Sequence, residues 1–416
     1  MGRFLYEIGV IDQRTIDKLD AESQELNRAS WKWAYVLDST EEERQGGITS
    51  DIAFQPFSTD EEHNYMLIDA PGHRDFVSNA IRGAVMADAC LMLISVEKGD
   101  LKSGLKRSTA DNPYQGQTRE HAILGTVLGI NQVKFIINKM DLVDYQETAY
   151  LETVEIVKRL LKDIRSPWLR QLTDTSFIPI SGLHGDNLVN KSEKMPWYNG
   201  PTLAKSLQEF KPVTRIEDKN RFLAHDAFSI GVGTVLHGRL ISGHLKTDEK
   251  IIVLPNNDLG SIKDMWDVSS EQLTELKAGD YGILQLRDVD RDNLFPGIIV
   301  ADPTDYPTAP TSIQTRVLIL ENADKPLIPG SSVTLHIGLS HSAARIEKII
   351  SIEREKRARV PGKKILMAFP GELAVIELKP DLPIIVEKYT DQPILGRAIM
   401  RHMGQTIAVG VVTSYK

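Results

Sequence analysis

The chain lacks most of the features that mark secreted, membrane or disulfide-rich proteins. It has 416 residues and one cysteine, Cys90, so no disulfide can form within it and the thiol is expected to be a small buried apolar group. Its first residues, MGRFLYEIGV, have no signal-peptide core, and no apolar run is long enough to span a membrane. The net charge of −8 gives no general attraction for nucleic acid. We expect a cytoplasmic protein of two or three domains, with no membrane or DNA contact.

A phosphate-binding loop is also missing from these residues. The sequence GxxxxGK[ST] cradles nucleotide phosphates with backbone amides, a lysine and a magnesium-binding hydroxyl. The nearest string, ARVPGKK ending at Lys364, has neither the earlier glycine nor a Ser or Thr after the lysine. This absence matters because DAPGHRDF, at Asp69–Phe76, is a pattern by which nucleotide hydrolases sense a γ-phosphate.

The two halves of the chain have different periodicity. The first half alternates short apolar runs (YMLIDA, ACLMLISV, VKFIINKMD, SFIPIS) with segments of helical spacing. This predicts an α/β, doubly wound, mostly parallel sheet over residues 1–208, with ligand sites at the carboxyl ends of its strands. The second half has short alternating strands and a proline-rich stretch at 302–312. It predicts two β-barrels, over residues 209–305 and 306–416.

Two polar motifs follow predicted strands and suit guanine recognition. An aspartate in NKMD can accept hydrogen bonds from guanine N1–H and its exocyclic amine, a pair of donors that adenine lacks. The lysine stem can cover the base, the asparagine can tie the loop down, and the Ser-Gly turn of ISGLHGDN can offer amides to guanine O6. Each motif alone also fits an ordinary turn after a strand. The candidate guanine-binding residues are Asn138, Lys139, Asp141, Ser181, Gly182 and Leu183.

A second group of residues suits a γ-phosphate and Mg²⁺. Thr49 lies in a polar, glycine-bearing segment and can place its hydroxyl on the metal, while Asp69 can hold the same ion. The Gly72 amide is predicted to meet the γ-phosphate, and His73 is the candidate catalytic residue that orients the attacking water. Taken together, and in their order along the chain, the guanine-binding candidates and the phosphate-binding candidates predict a GTPase that uses GTP/GDP and Mg²⁺.

These motifs resemble the translational GTPases of the elongation factor 1-alpha superfamily. The resemblance rests on DAPGHRDF, GQTREHAILGTVLGI, NKMDLV, ISGLHGDNL and MPWYNGPTL, and continues to LGRAIMRHMGQTIAVGVVTSYK at the C-terminus. It implies a G domain followed by two β-barrels, and GTP hydrolysis on the ribosome. It also implies that Met1 lies just past the usual phosphate loop, so we expect the first strand of the sheet to be missing and the chain to be a fragment.

Within the superfamily, WAYVLDSTEEER, GPTLAKSL and RIEKIIS resemble the HBS-like ribosome-rescue GTPases, which implies a Pelota-like tRNA-mimic partner. Three alternatives stay open: an elongation factor 1-alpha-type carrier of aminoacyl-tRNA, a release-factor GTPase, and a non-hydrolysing adaptor.

Three segments need separate expectations. Gly46 stands where the family usually has arginine, which would loosen the backbone near Thr49. The segment at 102–121 is longer than usual and is expected to be a mobile loop. The basic run IEREKRARVPGKK, at 352–364, is either a solvated hairpin tip or a contact for RNA or a partner protein.

Overall fold

The computed structural model describes residues 1–25, 29–38, 40–46, 48–107, 116–213, 216–230, 233–289, 294–321, 323, 325–353 and 365–416. The chain divides into two compact units, Met1–Pro212 and Val213–Lys416. Residues 108–115 of the segment 102–121 and residues 354–364 of the basic run lie outside the described residues. The two ends of the segment 102–121 are not loop, because they belong to the helices Lys98–Gly104 and Gln117–Val127. No helix within the described ranges is both long and apolar enough to cross a membrane.

The first unit alternates strands and helices as its sequence predicts. The strands are β1 (Ala53–Ser58), β2 (Asn64–Asp69), β3 (Ala89–Ser95), β4 (Gln132–Asn138) and β5 (Phe177–Pro179). The helices are α1 (Gly2–Glu7), α2 (Gln13–Glu25), α3 (Glu41–Gly46), α4 (Val77–Met86), α5 (Lys98–Gly104), α6 (Gln117–Val127), α7 (Glu147–Asp163) and α8 (Leu203–Leu207). Helix α7 buries Tyr150, Val154, Val157 and Leu161, at three- and four-residue spacing, so one face meets the core.

The strands of this unit form two sheets. Strands β3, β4 and β5 pair in parallel, with Ser95 opposite Asn138 at the carboxyl ends of β3 and β4, and β1 and β2 form a separate antiparallel pair. Side chains connect the sheets: Phe4 of α1, 1% exposed, packs in one cluster with Phe57 of β1 and Ile136 of β4. The α/β prediction is confirmed, and the parallel sheet brings several motifs to one edge.

The second unit is built almost entirely of strands. The first group is β6 (Arg221–Ile230), β7 (Gly233–Ser242), β8 (His244–Lys246), β9 (Lys250–Leu254), β10 (Asp258–Trp266), β11 (Gln272–Leu273), β12 (Glu275–Lys277), β13 (Tyr281–Arg287) and β14 (Ile299–Ala301). Its main sheet has the order β11-β10-β13-β7-β6-β14-β9, and β9 also pairs with β10, which closes it into a barrel. Strands β8 and β12 pair separately.

The second barrel follows the proline-rich stretch. Its strands are β15 (Ile313–Ile319), β16 (Ser332–Ile337), β17 (Ser340–Glu353), β18 (Leu373–Pro380), β19 (Arg397–His402) and β20 (Gln405–Tyr415), with a short helix α9 (Pro393–Gly396) before β19. They close in the order β15-β18-β17-β16-β19-β20. Inward-facing residues alternate along β15, where Ile313, Val317 and Ile319 are each 0% exposed. The prediction of two barrels is confirmed.

A buried ion pair connects the two barrels. Arg221 of β6 is 1% exposed and donates from Nη2 to Glu387 Oε1 at 3.0 Å and from Nε to Glu387 Oε2 at 3.2 Å. Its Nη1 donates to the main-chain oxygen of Asp305, in the stretch between the barrels, at 2.8 Å. The Arg221 guanidinium therefore joins β6, the stretch between the barrels and the segment that carries Glu387. Its buried positive charge is balanced by the Glu387 carboxylate.

Candidate functional site: a nucleotide site at the sheet edge

The Asn138 side chain ties together two loops of the first unit. Strand β4 ends at Asn138, and Lys139 turns the chain sharply with φ of 69°. The side-chain oxygen of Asn138 accepts hydrogen bonds from the main-chain nitrogens of Lys139, at 2.8 Å, and of Gly182, at 2.9 Å. Two backbone donors that would otherwise stay unsatisfied are therefore paired, and the NKMD and ISGLHGDN segments are held side by side.

Asp141 and Ser181 form the second connection between these loops. The Ser181 hydroxyl donates to Asp141 Oδ1 at 2.5 Å and also accepts from the main-chain nitrogen of His184 at 3.2 Å. Ser181 is 0% exposed, whereas the Asp141 carboxylate is partly accessible. One carboxylate oxygen is thus oriented by Ser181 while the side chain remains open to a ligand. This arrangement suits an acceptor for a pair of ligand N–H groups.

Lys139, Leu142 and Leu183 border the same two loops. The Lys139 ammonium donates to Asp100 of α5 at 2.6 Å and lies 3.5 Å from Glu97, and the Asp100 hydrogen bond raises its pKa. Leu142 and Leu183 are 59% and 43% exposed, which is high for leucines beside a polar turn. An apolar base face could cover them. The base-covering role of the Lys139 stem stays a prediction.

Asp69 ends β2 and lies among other carboxylates. Burial raises the pKa of Asp69, the positive charge of the Met1 amino group opposes that shift, and the negative charges of Asp38 and Glu43 act in the same direction as burial. Asp38 is 7% exposed; burial raises its pKa as well, although a hydrogen bond from Thr49 opposes that shift. Carboxylates grouped in this way favour a nearby cation, and the Met1 amino group is a cation that already interacts with Asp69.

Thr49 is hydrogen-bonded to a member of this group. Its hydroxyl donates to Asp38 Oδ1 at 3.0 Å. The next residue, Ser50, is held on both sides: its nitrogen donates to Glu43 Oε1 at 2.8 Å, and its main-chain oxygen accepts from Asn79 of α4 at 2.8 Å. Gly46, where the sequence predicts a looser backbone, is the last residue of α3. No atom lies within 4 Å of the position that a Cβ atom would take there.

Thr49, Asp38 and Asp69 provide only oxygen donors, the type of ligand that Mg²⁺ prefers. Within the described residues there is no group of three or more His, Cys, Asp or Glu side chains placed to hold a metal ion. A divalent cation here would therefore take part of its coordination from phosphate or water, which is the usual situation for Mg²⁺. Thr49, Asp38 and Asp69 therefore fit Mg²⁺ as part of a coordination shell that phosphate or water completes.

The turn after β2 places its two candidate residues differently. A Cβ atom added at Gly72 would meet Cε1 of His121 at 4.0 Å, so this partly buried histidine of α6 lies beside the turn. The His73 ring instead accepts a hydrogen bond at Nδ1 from the main-chain nitrogen of Asp75, at 3.3 Å, and caps the short helical turn that follows. About a third of the His73 side chain is exposed, so a water molecule can reach it.

Sequence reasoning did not include Asp38, Glu43 or His121 in this site. Glu43 had a usable signal, because Thr40 and Glu43 form the S/T-x-x-E pattern of a capping box. His121 had none, since its place beside Gly72 depends on how α6 packs. Its Nε2 is buried without a hydrogen-bond partner, and burial lowers its pKa.

Comparison with known proteins agrees with this architecture. A family model described as "Elongation factor Tu GTP binding domain" matches residues 1–223, and one described as "GTP-eEF1A C-terminal domain-like" matches residues 312–413. Elongation factor 1-alpha of Thermofilum pendens is 36% identical over 100% of this chain and 94% of its own length. The protein of the same name from Staphylothermus marinus is 34% identical, covering 100% and 93%. The S. cerevisiae Ski7 GTPase-like domain, bound to GTP, has a similar fold, with a TM-score of 0.77 at 19% identity over 99% of this chain and 93% of that one.

Proposed function

The chain belongs to the elongation factor 1-alpha superfamily of translational GTPases, and on that premise we propose that it binds GTP and acts in ribosome rescue with a Pelota-like tRNA-mimic protein. The observation that carries the nucleotide part is the pairing of the two base loops by Asn138–Gly182 and Asp141–Ser181. A site whose acceptor is already oriented loses less entropy when the base binds. The compartment that fits this role is the cytoplasm.

In the proposed site each residue has a defined task. Asp141 accepts the two guanine donors. Leu183 covers part of the base and offers its main-chain amide to guanine O6, since the Gly182 amide already donates to Asn138. Thr49 and Asp69 hold Mg²⁺, which would offset phosphate charge when bound. The amide of Gly72 contacts the γ-phosphate, and His73 orients the attacking water.

The nucleotide proposal is tested by the base preference of the chain. No GxxxxGK[ST] sequence occurs among its residues, so we expect weak binding that depends on the base. Calorimetric titration with GTP, ATP and xanthosine triphosphate should show a preference for GTP of tenfold or more. Equal affinity for GTP and ATP would exclude guanine recognition by these loops.

The partner proposal is tested by co-sedimentation. The HBS-like character of WAYVLDSTEEER and GPTLAKSL supports a Pelota-like partner, whereas the names of the curated relatives support the alternative of an aminoacyl-tRNA carrier. Ribosome pelleting with purified Pelota-like protein, release factor or aminoacyl-tRNA should enrich the chain most strongly with the first. Enrichment by charged tRNA alone would favour the elongation role, and enrichment by release factor alone would favour termination.

Hydrolysis separates a GTPase from a non-hydrolysing adaptor. The adaptor alternative is favoured by the missing lysine and hydroxyl of a phosphate loop. Phosphate release on ribosomes can be followed for the chain as it stands and for a version with a GxxxxGKS segment joined ahead of Met1. We expect stimulated hydrolysis only in the second; failure of both would support the adaptor.

A further inference from the structure

Asp186 is the centre of a polar network outside the residues that face the nucleotide. Its carboxylate accepts hydrogen bonds from the Tyr145 hydroxyl at 2.7 Å, the Ser192 hydroxyl at 2.7 Å and the Lys194 ammonium at 3.0 Å. The side chain is 12% exposed. Burial alone would raise the pKa of Asp186, but these hydrogen bonds outweigh it and lower that pKa, so the carboxylate is ionised at neutral pH.

The network reaches both base loops through the main chain. The main-chain oxygen of Asp186 accepts from the nitrogen of Ser181 at 3.2 Å, and the nitrogen of Tyr145 donates to the oxygen of Met140 at 2.9 Å. Ser181 and Met140 flank the base-reading position from the two loops. Asp186 and Tyr145 therefore stand one hydrogen bond behind the residues that read the base.

Two further contacts keep Tyr145 in place. Lys194 lies 4.8 Å from the centre of the Tyr145 ring, and the Trp197 ring nitrogen donates to the main-chain oxygen of Tyr145 at 2.9 Å. The backbone of Tyr145 has a φ of 56°, a left-handed conformation that a bulky residue adopts only when its surroundings hold it there. Tyr145 is thus held by side-chain contacts with Asp186 and Lys194 and by a main-chain contact with Trp197.

From this arrangement we propose that Asp186 is a positioning residue for guanine discrimination: with Tyr145 it fixes the distance between the Asp141 and Ser181 loops. The inference rests on the proposed guanine site. Hydrogen bonds depend steeply on distance and angle, so an acceptor carried on two loosened loops loses part of its selectivity even when it remains present.

The test compares GTP with inosine triphosphate (ITP), which lacks only the exocyclic amine. Tyr145→Phe removes one hydroxyl and keeps the ring, and Asp186→Ala removes the centre of the network. Both should reduce the ratio of ITP to GTP dissociation constants about fivefold, because the bond from the amine to Asp141 weakens most. Lys191→Met, an exposed lysine of the same loop that is not a hydrogen-bond partner of Asp186, should leave the ratio unchanged. Competition against a fluorescent GDP gives the constants.

Three outcomes decide the inference. A wild-type chain with equal affinity for GTP and ATP would overturn the guanine site itself. If the wild-type chain prefers GTP but Tyr145→Phe leaves the ratio of ITP to GTP dissociation constants unchanged, the guanine site stands and the positioning role of Asp186 is overturned. A lower melting temperature with equal loss of affinity for both nucleotides would assign the network to stability and also overturn it. If Asp186→Ala does not fold, Tyr145→Phe decides.

Discussion

The buried carboxylate of Glu43 accepts a hydrogen bond from the main-chain nitrogen of Ser50 at 2.8 Å, and so holds the residue that follows Thr49. The same carboxylate accepts from the nitrogen of Asp51 at 3.1 Å and from Thr40, and only 3% of Glu43 is exposed. Burial alone would raise its pKa, but the hydrogen bonds from Ser50, Asp51 and Thr40 outweigh burial and lower the pKa to about 2. Glu43 thus connects Ser50 and Asp51, which follow Thr49, to α3. The looser backbone expected near Gly46 stays a prediction.

Replacement of Glu43 should therefore destabilise the first unit in a pH-dependent way. A carboxyl whose pKa falls from 4.5 to about 2 on folding contributes roughly 3 kcal/mol at neutral pH. That contribution is complete above the unfolded pKa and is lost as pH falls through the folded pKa. Glu43→Gln should lower the free energy of unfolding by up to this amount at pH 7, and the gap to wild type should narrow between about pH 4.5 and pH 2.

Urea denaturation measures this gap, with Glu42→Gln as the matched control on the exposed side of the same helix. Tryptophan fluorescence reports mainly on this unit, which contains Trp31, Trp33, Trp168 and Trp197. A Glu43→Gln gap that is constant from pH 7 to pH 3 would mean that the ionised carboxylate does not provide the stability.

Base preference should follow the chemistry of Asp141. In Asp141→Asn the side chain keeps an oxygen that can accept from Ser181 and gains an amide that can donate to the additional oxygen of xanthine. Affinity for GTP should fall about tenfold or more, and affinity for xanthosine triphosphate should rise. Competition binding tests both, with Asp144→Asn, an exposed aspartate of the same turn, as control. An unchanged preference would remove Asp141 from the site.

Local patterns predicted much of the fold, but not the elements in which the pattern is broken. Apolar runs located β2, β3 and β4 to within a few residues. Strand β6 does not show such a pattern, because its centre is polar, with His225 and Asp226, and its pairing with β7 shifts register between Ala224 and Asp226. Strand β17 departs from regular pairing in a similar way, since its pairing with β18 shifts register at two places. A register shift disrupts the alternation on which recognition of a strand depends.

The same limit applies to the candidate site. Asn138, Asp141 and Ser181 could be predicted from the sequence, because the residues that suit guanine recognition lie within two short contiguous motifs. The contacts of Asp186 with Tyr145 and of Asp38 with Thr49 join residues 41 and 11 positions apart and exist only once the loops have folded. No single-sequence pattern specifies such a pair.

The ion pair between the barrels should be worth far more than a surface pair. Arg221→Met would leave the Glu387 carboxylate, whose side chain is 6% exposed, buried without a counter-charge, at a cost of about 3–5 kcal/mol. Arg316→Met breaks a pair with Glu353 whose partners are about half exposed and screened by water, and should cost clearly less than the loss of the buried pair. Urea unfolding followed by far-ultraviolet circular dichroism, which reports on the strands of the second unit as well as on the first unit, compares the two variants. Equal losses of unfolding free energy in the two variants would show that burial does not make the Arg221–Glu387 pair more important for stability than the exposed pair.

His73 should affect turnover and leave ground-state binding nearly unchanged. Its ring is partly exposed and accepts at Nδ1 from the main-chain nitrogen of Asp75, an orientation that leaves Nε2 as the atom for a water molecule. His73→Ala, in the version with a GxxxxGKS segment ahead of Met1, should reduce ribosome-stimulated hydrolysis about a hundredfold or more, the usual scale for a positioned proton-transfer or water-orienting group. GTP affinity should change little, because such a residue contacts the attacking water rather than the bound nucleotide.

The matched control for this prediction is His63→Ala. His63 is exposed to a similar degree but is paired with Asp60 in the turn between β1 and β2, away from the end of β2 that carries Asp69. It should leave the rate unchanged. Phosphate release with ribosomes gives the rate, and calorimetry gives the affinity. A large loss of GTP affinity at unchanged turnover would mean that His73 binds the nucleotide itself, and the water-orienting role would then pass to another side chain near Gly72, of which His121 is the nearest one observed.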